Sequence, residues 1–223
     1  MATIAVIDYD MGNLHSACKG LEKAGATPEI TDSPQDIARA DAVVLPGVGA
    51  FDPTMEHIRT RHLEAPIKEA IASGKPFLGI CLGLQILFDL SEEGQEPGLG
   101  IISGMVRRFR SEPGITIPHM GWNQLELTQP YLPLWQQLTP NPYVYFVHSY
   151  YVDPVDPSVR AAMVTHGSQR VTAAIAHDNL MAVQFHPEKS ADNGLQILCN
   201  FVSLVRSRGV SRNASTPYLA SNT

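Results

Sequence analysis

The stretch Pro76-Phe77-Leu78-Gly79-Ile80-Cys81-Leu82-Gly83 constrains this 223-residue chain more than any other. An apolar run that ends at a cysteine, followed by a second apolar run over residues 82–90, predicts a buried strand turning sharply into a buried helix. Such an elbow presses backbone against backbone on both sides of its central residue. Positions without bulk are needed there, and Gly79 and Gly83 supply them. Cys81 then stands at a helix N-terminus, where free N–H groups and the helix dipole favour a thiolate. A thiol so placed is either a nucleophile or one of the buried cysteines common in protein cores. The pentapeptide alone does not choose.

The chain around the elbow fits an α/β fold. Apolar residues predict strands at 4–8, 28–31 and 42–45 and helices at 13–24 and 53–73, the first helix carrying Leu14, Ala17, Cys18 and Leu21 at i, i+3, i+4 and i+7. Alternation of this kind predicts a mostly parallel central sheet flanked by helices in a three-layer sandwich. The second half reads as strands at 106–109, 123–127, 143–147, 161–164, 171–176 and 182–185, an antiparallel addition to the same sheet. A last helix over 193–206 closes a single domain of residues 1–206. Residues 207–223, rich in Ser, Asn and Thr, read as a flexible tail.

Composition narrows the function classes. A net charge of −6 without a dense Lys/Arg block argues against a nucleic-acid or anionic-membrane surface. No apolar run approaches the ~18 residues of a membrane span, and the N-terminus lacks the basic start of a signal peptide. Cys18, Cys81 and Cys199 are odd in number, far apart and not in metal-ligand spacing. A cytoplasmic protein without metal or cofactor is therefore expected.

A cysteine nucleophile needs a base, and the base needs an orienting group. Of eight histidines, His186 is distinctive because His186-Pro187-Glu188 directly follows the apolar segment Met181-Ala182-Val183-Gln184-Phe185. Pro187 pushes His186 towards extended geometry, in which residues i and i+2 share a side, so Glu188 can hold one ring nitrogen and leave the other for Cys81. A strand-end loop with an unrelated His and Glu would look the same in the tripeptide. Acyl chemistry also needs donors for an oxyanion. Pro46-Gly47-Val48-Gly49 lies at a strand end, where α/β sheets place their sites, and the Leu82 N–H follows the nucleophile.

Taken together, Gly79-Ile80-Cys81-Leu82-Gly83-Leu84-Gln85 and Phe185-His186-Pro187-Glu188 resemble the class I (triad) glutamine amidotransferases. The opening Asp8-Tyr9-Asp10-Met11-Gly12-Asn13-Leu14 is similar to the branch serving histidine biosynthesis. So are Pro46-Gly47-Val48-Gly49-Ala50-Phe51, Pro118-His119-Met120-Gly121-Trp122-Asn123 and His186-Pro187-Glu188-Lys189-Ser190, and the resemblance spans about residues 4–206. Asp10 departs from it, since glycine is common at that position.

The resemblance implies hydrolysis of L-glutamine to glutamate and ammonia through a thioester on Cys81, with His186 as acid and base and Glu188 as orienter. It implies an oxyanion site at Gly47, Val48, Gly49 and Leu82, and contacts to the amino-acid end of glutamine from Gln85, Glu93, His148, Ser149 and Tyr150. Within Ser91-Glu92-Glu93-Gly94-Gln95-Glu96 a solvated loop is the plainer reading of Glu93. It also implies a heterodimer with a cyclase subunit, a (β/α)8 barrel that receives the ammonia, with Trp122, Asn123, Tyr145 and Lys189 at the interface. Trp122 suits either an exposed anchor or a core position. Amidotransferase subunits of other synthases would share Cys81, His186 and Glu188. Pro46-Gly47-Val48-Gly49, rather than a Gly-Gly-Pro type loop, separates this chain from them.

Overall fold

The computed structural model describes the backbone of residues 2–214 and the side chains of residues 2–208. Its first half alternates strand and helix: β1 (Thr3–Ile7), α1 (Leu14–Lys23), β2 (Thr27–Thr31), α2 (Pro34–Arg39), β3 (Ala42–Gly47), α3 (Phe51–Thr60), α4 (Glu64–Ala72) and β4 (Phe77–Cys81). A one-turn helix, α5 (Leu82–Gln85), leaves β4 at once. There follow β5 (Phe88–Ser91), β6 (Ile102–Arg108), β7 (His119–Gln124), β8 (Glu126–Leu127) and β9 (Tyr143–His148). The chain ends with β10 (Tyr150–Pro154), β11 (Arg160–His166), β12 (Gln169–His177), β13 (Leu180–Val183) and α6 (Ala191–Ala214).

β2, β1, β3, β4 and β13 lie side by side and run parallel. From β13 the same sheet continues antiparallel through β12, β10 and β6, with β5 parallel to β6 at the far edge. The predicted α/β fold, a parallel core extended by antiparallel strands, is the fold observed. β13 matters most for the site. It comes from the antiparallel half yet pairs parallel with β4, Val183 opposite Ile80, so segments about 100 residues apart share one strand edge. β7 and β9 stand apart as a two-stranded antiparallel ribbon.

Alternation along the parallel strands fills a core on each face of the sheet. Ile4, Val6 and Val44 pack with Cys18 and Leu21 of α1 and Ile197 and Phe201 of α6. Ala5, Ile7, Val43 and Leu45 pack with Phe51, Met55 and Ile58 of α3 and Ile67 of α4. Among the described residues no helix is long and apolar enough to cross a membrane, and no group of three or more His, Cys, Asp or Glu could hold a metal ion.

Four local readings differ. The helix expected over 53–73 breaks into α3 and α4 at His62, whose φ is +57°. The helix expected over 82–90 stops after one turn, because backbone groups of residues 86–89 bond residues 98–102 instead of the next helical turn. An apolar run without periodicity cannot show that competition. The strand expected at 123–127 is divided between β7 and β8. The last helix runs from Ala191 to Ala214 and so includes residues 207–214 of the expected tail, while 215–223 lie outside the described residues.

Asp10 adopts a left-handed φ of +67°, a conformation that glycine takes without strain, in keeping with the glycine that the resemblance implies at this position. Aspartate is among the few residues that tolerate this conformation, and Arg61 holds it at 2.8 Å through Nε.

Candidate active site

The elbow forms at the carboxyl edge of the parallel strands. Cys81 has φ +56° and ψ −111°, a conformation that costs a non-glycine residue roughly 1–3 kcal/mol and that the surroundings must enforce. They do so by close packing. Gly47 of β3 is in register with Cys81 of β4. A β-carbon on Gly47 would stand 2.6 Å from the Gly83 nitrogen, and one on Gly83 would run into the Leu45 carbonyl oxygen. Both glycines are therefore obligatory spacers between β3 and the turn. With α5 only four residues long, its N–H groups rather than a macrodipole are what the elbow offers an anion.

β13 delivers His186, the expected base, to the same edge. Gln184 and Phe185 carry the chain on from the end of that strand, and His186 follows in an extended conformation (φ −101°, ψ 98°), as its position before Pro187 predicts. Glu188 reaches it by a different route from the expected strand alternation, because Pro187–Lys189 form a short 3-10 turn that folds the carboxylate back. His186 Nδ1 and Glu188 Oε1 are 2.8 Å apart, with both side chains almost wholly buried. Burial works against the imidazolium, but the attraction of nearby Cys81 and the bond and charge of Glu188 outweigh it and raise the His186 pKa to about 9. His186 Nε2 makes no close hydrogen bond among the described residues, and His186 lines the same cavity as Cys81.

A cavity of about 330 Å³ opens over this edge. Cys81, Leu82 and His186 line it together with Val48 and Gly49, whose φ is +102°. Gln85, Glu93, His148, Ser149 and Tyr150 also line it, so every residue expected at the amino-acid end of the substrate borders one space. Gly47 does not line it, being packed behind the elbow. Glu188 likewise stands behind His186. The Pro46–Gly49 segment is anchored where it begins, by the buried Tyr9 hydroxyl donating to the Pro46 carbonyl at 2.7 Å.

Gln85 is buried and donates from Nε2 to the Tyr150 carbonyl (3.1 Å) and to Gln184 Oε1 (3.0 Å). Glu93 is not on a solvated loop. Its Oε2 accepts from the Phe51 N–H at 2.9 Å, capping α3, and Asp52 returns the strap by accepting from the Gln95 and Glu96 N–H groups. Burial first, with Asp52 adding to it against the Phe51 bond, raises the Glu93 pKa. Sequence reasoning passed over Gln184. It is fully buried, and its Nε2 lies 3.7 Å from Cys81 Sγ. The visible signal was a lone amide in an otherwise apolar strand, a polar group that must find a partner.

The expected interface residues surround the β7–β9 ribbon. Trp122 is exposed and stands opposite Tyr145, their rings edge to face at 6.1 Å. Met120 and Tyr143 add exposed apolar surface, and Lys189 is exposed at the end of the Pro187–Lys189 turn. Asn123 is half-buried and turned inward, donating to the Thr165 carbonyl at 2.9 Å. The ribbon is tied to the turn, since the His186 N–H donates to the Tyr145 carbonyl (3.0 Å) and the Tyr145 N–H to Ser190 Oγ (2.9 Å).

Known proteins with this sequence pattern agree on its kinship. Residues 5–204 match the family described as Glutamine amidotransferase class-I. The protein named imidazole glycerol phosphate synthase subunit HisH in Gloeothece citriformis is 79% identical over 211 residues, covering 95% of this chain and 100% of its own. Its namesake in Trichormus variabilis is 75% identical over 208 residues, covering 93% and 99%. Among solved structures, the glutaminase domain of CTPS from Trypanosoma brucei superposes with a TM-score of 0.70 at 15% identity, over 93% of this chain and 94% of that one, a likeness of fold. The chain belongs to the class-I glutamine amidotransferases, in the branch of the imidazole glycerol phosphate synthase HisH subunits.

Proposed function

We propose that this protein is the glutaminase subunit of an imidazole glycerol phosphate synthase. On this reading it hydrolyses L-glutamine at Cys81 and passes the ammonia to a cyclase subunit built as a (β/α)8 barrel. The observation that carries the reading is the meeting of Cys81, at a strained elbow, with His186 in one cavity, the buried Glu188 backing the imidazole.

In the first half-reaction the Cys81 sulfur attacks the side-chain carbonyl carbon while His186 holds the proton that the pair shares. The oxyanion forms beside the Leu82 N–H and the Val48–Gly49 backbone. Collapse of the tetrahedral adduct breaks the C–N bond, and His186 returns the proton to the departing ammonia, leaving a glutamyl thioester. With a pKa near 9, His186 still holds its proton at neutral pH, as a general acid for ammonia must. In the second half-reaction His186 takes a proton from water, hydroxide adds to the thioester, and glutamate leaves as the sulfur regains its proton. Gln85 Oε1 and Glu93 receive the α-ammonium, and backbone N–H groups around Ser149 and Tyr150 receive the α-carboxylate. Residues 1–206 act as one amidotransferase domain, for which the single large sheet joining both halves is the support.

The ribbon bearing Trp122, Met120 and Tyr143 is the face for the cyclase, because an exposed aromatic cluster joined by hydrogen bonds to the catalytic turn favours a partner there. The deciding experiment measures glutamate and ammonia release by wild type and Cys81→Ala, alone and with the cyclase and its ligand. Activity should vanish in Cys81→Ala, and a glutamine-derived diazoketone should label Cys81 in the wild type. Residual turnover in the variant, or labelling elsewhere, overturns the chemistry. Recovery of a different synthase on the Trp122 face overturns the partner.

A further inference from the structure

Two histidines that the chemistry above does not use lie buried in the ribbon, and His148 also borders the substrate cavity. His119 of β7 and His148 at the end of β9 are cross-strand partners, and His119 Nδ1 lies 2.9 Å from His148 Nε2. His148 Nδ1 is 2.7 Å from the Tyr150 carbonyl oxygen, and Asn123 Nδ2 is 3.1 Å from His119 Nε2.

The protons in this chain have only one arrangement. A carbonyl oxygen can only accept, so His148 Nδ1 carries a hydrogen and, in a neutral ring, Nε2 is the acceptor. His119 Nδ1 must then donate, which leaves His119 Nε2 to accept from Asn123. The Asn123 amide cannot turn over to reverse this, because its Nδ2 also donates to the Thr165 carbonyl and its Oδ1 accepts from the Gln124 N–H at 2.8 Å. The ring planes are fixed as well. His119 is stacked between Phe146 (4.7 Å) and His166 (4.3 Å), and His166 spends Nε2 on the Thr116 carbonyl at 2.8 Å.

Both rings are neutral. Burial, with the charge of His166 adding to it, lowers the His119 pKa to about 4. Burial dominates at His148 too, and with His119, His166 and His186 nearby it outweighs the Tyr150 bond and lowers the pKa to about 3. Neutrality suits the site, since a second cation beside His186 would oppose the proton that His186 must keep.

The chain ends on an atom with a second duty. The Tyr150 carbonyl also accepts from Gln85 Nε2, and Gln85 donates in turn to Gln184, whose amide approaches Cys81 Sγ. We infer that His119 and His148 are positioning residues: a fixed-tautomer relay that begins at Asn123 on the ribbon and holds the Tyr150 peptide and Gln85 in the orientation that receives glutamine. The inference rests on the glutaminase reading for what the pocket binds, but not for the relay itself.

Two measurements test it. In the wild-type protein, long-range proton–nitrogen spectra of the histidine rings should show the Nδ1–H tautomer at both His119 and His148. An Nε2–H ring at either position, or averaging between tautomers, overturns the relay whether or not the protein is a glutaminase. In the functional arm, His119→Phe fills the same space without donor or acceptor, whereas His119→Gln keeps one of each. His119→Phe should raise KM for glutamine about tenfold while kcat changes by less than about threefold, and His119→Gln should recover most of that loss. A folded His119→Phe with wild-type KM, or equal losses in both variants, overturns the positioning role. Should His119→Phe not fold, the wild-type tautomers and the KM of His119→Gln decide the matter. A protein with no Cys81-dependent turnover but the expected tautomers would instead remove the glutaminase reading and leave the relay standing.

Discussion

The elbow edge and the β7–β9 ribbon border the same cavity but are held by different forces. At the elbow, position comes from exclusion. Gly47, Gly83 and the Leu45 carbonyl leave the backbone no room to relax, and Cys81 is pinned at φ +56°. On the ribbon side, position comes from polar bonds: Asn123 to His119, His148 to the Tyr150 carbonyl, Gln85 to Gln184, and Glu93 to the α3 N-terminus. Packing of the first kind fails all at once when a methyl group is added. Hydrogen bonds of the second kind fail by degrees, each worth about 1 kcal/mol net and up to about 3 when a buried partner is left unpaired. Cys81, the proposed nucleophile, is thus set rigidly, and the proposed recognition side is set by a network that can be tuned.

The largest contrast is expected from Gly83→Ala, whose methyl would occupy the space of the Leu45 carbonyl. A loss of more than about 3 kcal/mol in a urea melt, with activity abolished, follows from overpacking a rigid backbone contact. A stable, active Gly83→Ala would show that the elbow relaxes after all. Next comes Glu188→Gln, which keeps shape but loses the orienting charge behind His186. Turnover should fall about 10²–10⁴-fold.

The same pair sets a pH signature. His186 is raised to about 9 in the fold from an ordinary value of about 6.5, so its contribution to stability is complete below about pH 6.5 and is lost as pH rises through about 9. The wild-type melting temperature should therefore drop more steeply between pH 7 and 9.5 than that of Glu188→Gln. Parallel curves would mean that the pair contributes no such coupling. On the ribbon side the effects should be milder. Gln85→Ala should lower kcat/KM about 10–100-fold, chiefly through KM, with kcat much less affected. A collapse of the size expected for Glu188→Gln would erase the distinction between the two regions.

What was legible in the chain follows the same division. The elbow and His186-Pro187-Glu188 are local patterns in which a sharp turn needs glycine and proline sets its neighbour's geometry, so a short window carries them. The parallel core was legible from strand–helix alternation. Gln85 and Glu93 came from resemblance alone, because neither the apolar run around Gln85 nor the acidic stretch around Glu93 says what the side chain touches. The relay is a matter of cross-strand register, with His119 and His148 paired across 29 positions, and Gln184 meets Cys81 across 103. No periodicity within either strand encodes such a meeting. The early end of α5 was hidden for the same reason, since its competitor is the backbone of residues 98–102.

The positive φ at Cys81 puts stability and turnover in competition at a single residue. The fold there would be better served by glycine, which has no Cβ to strain, whereas the reaction requires sulfur. Cys81→Gly should therefore be inactive and yet melt higher than Cys81→Ala, by roughly 1 kcal/mol or more in unfolding free energy. Selection for robustness alone would erode this position, and on the proposed mechanism only the demand for catalysis keeps a side chain on it.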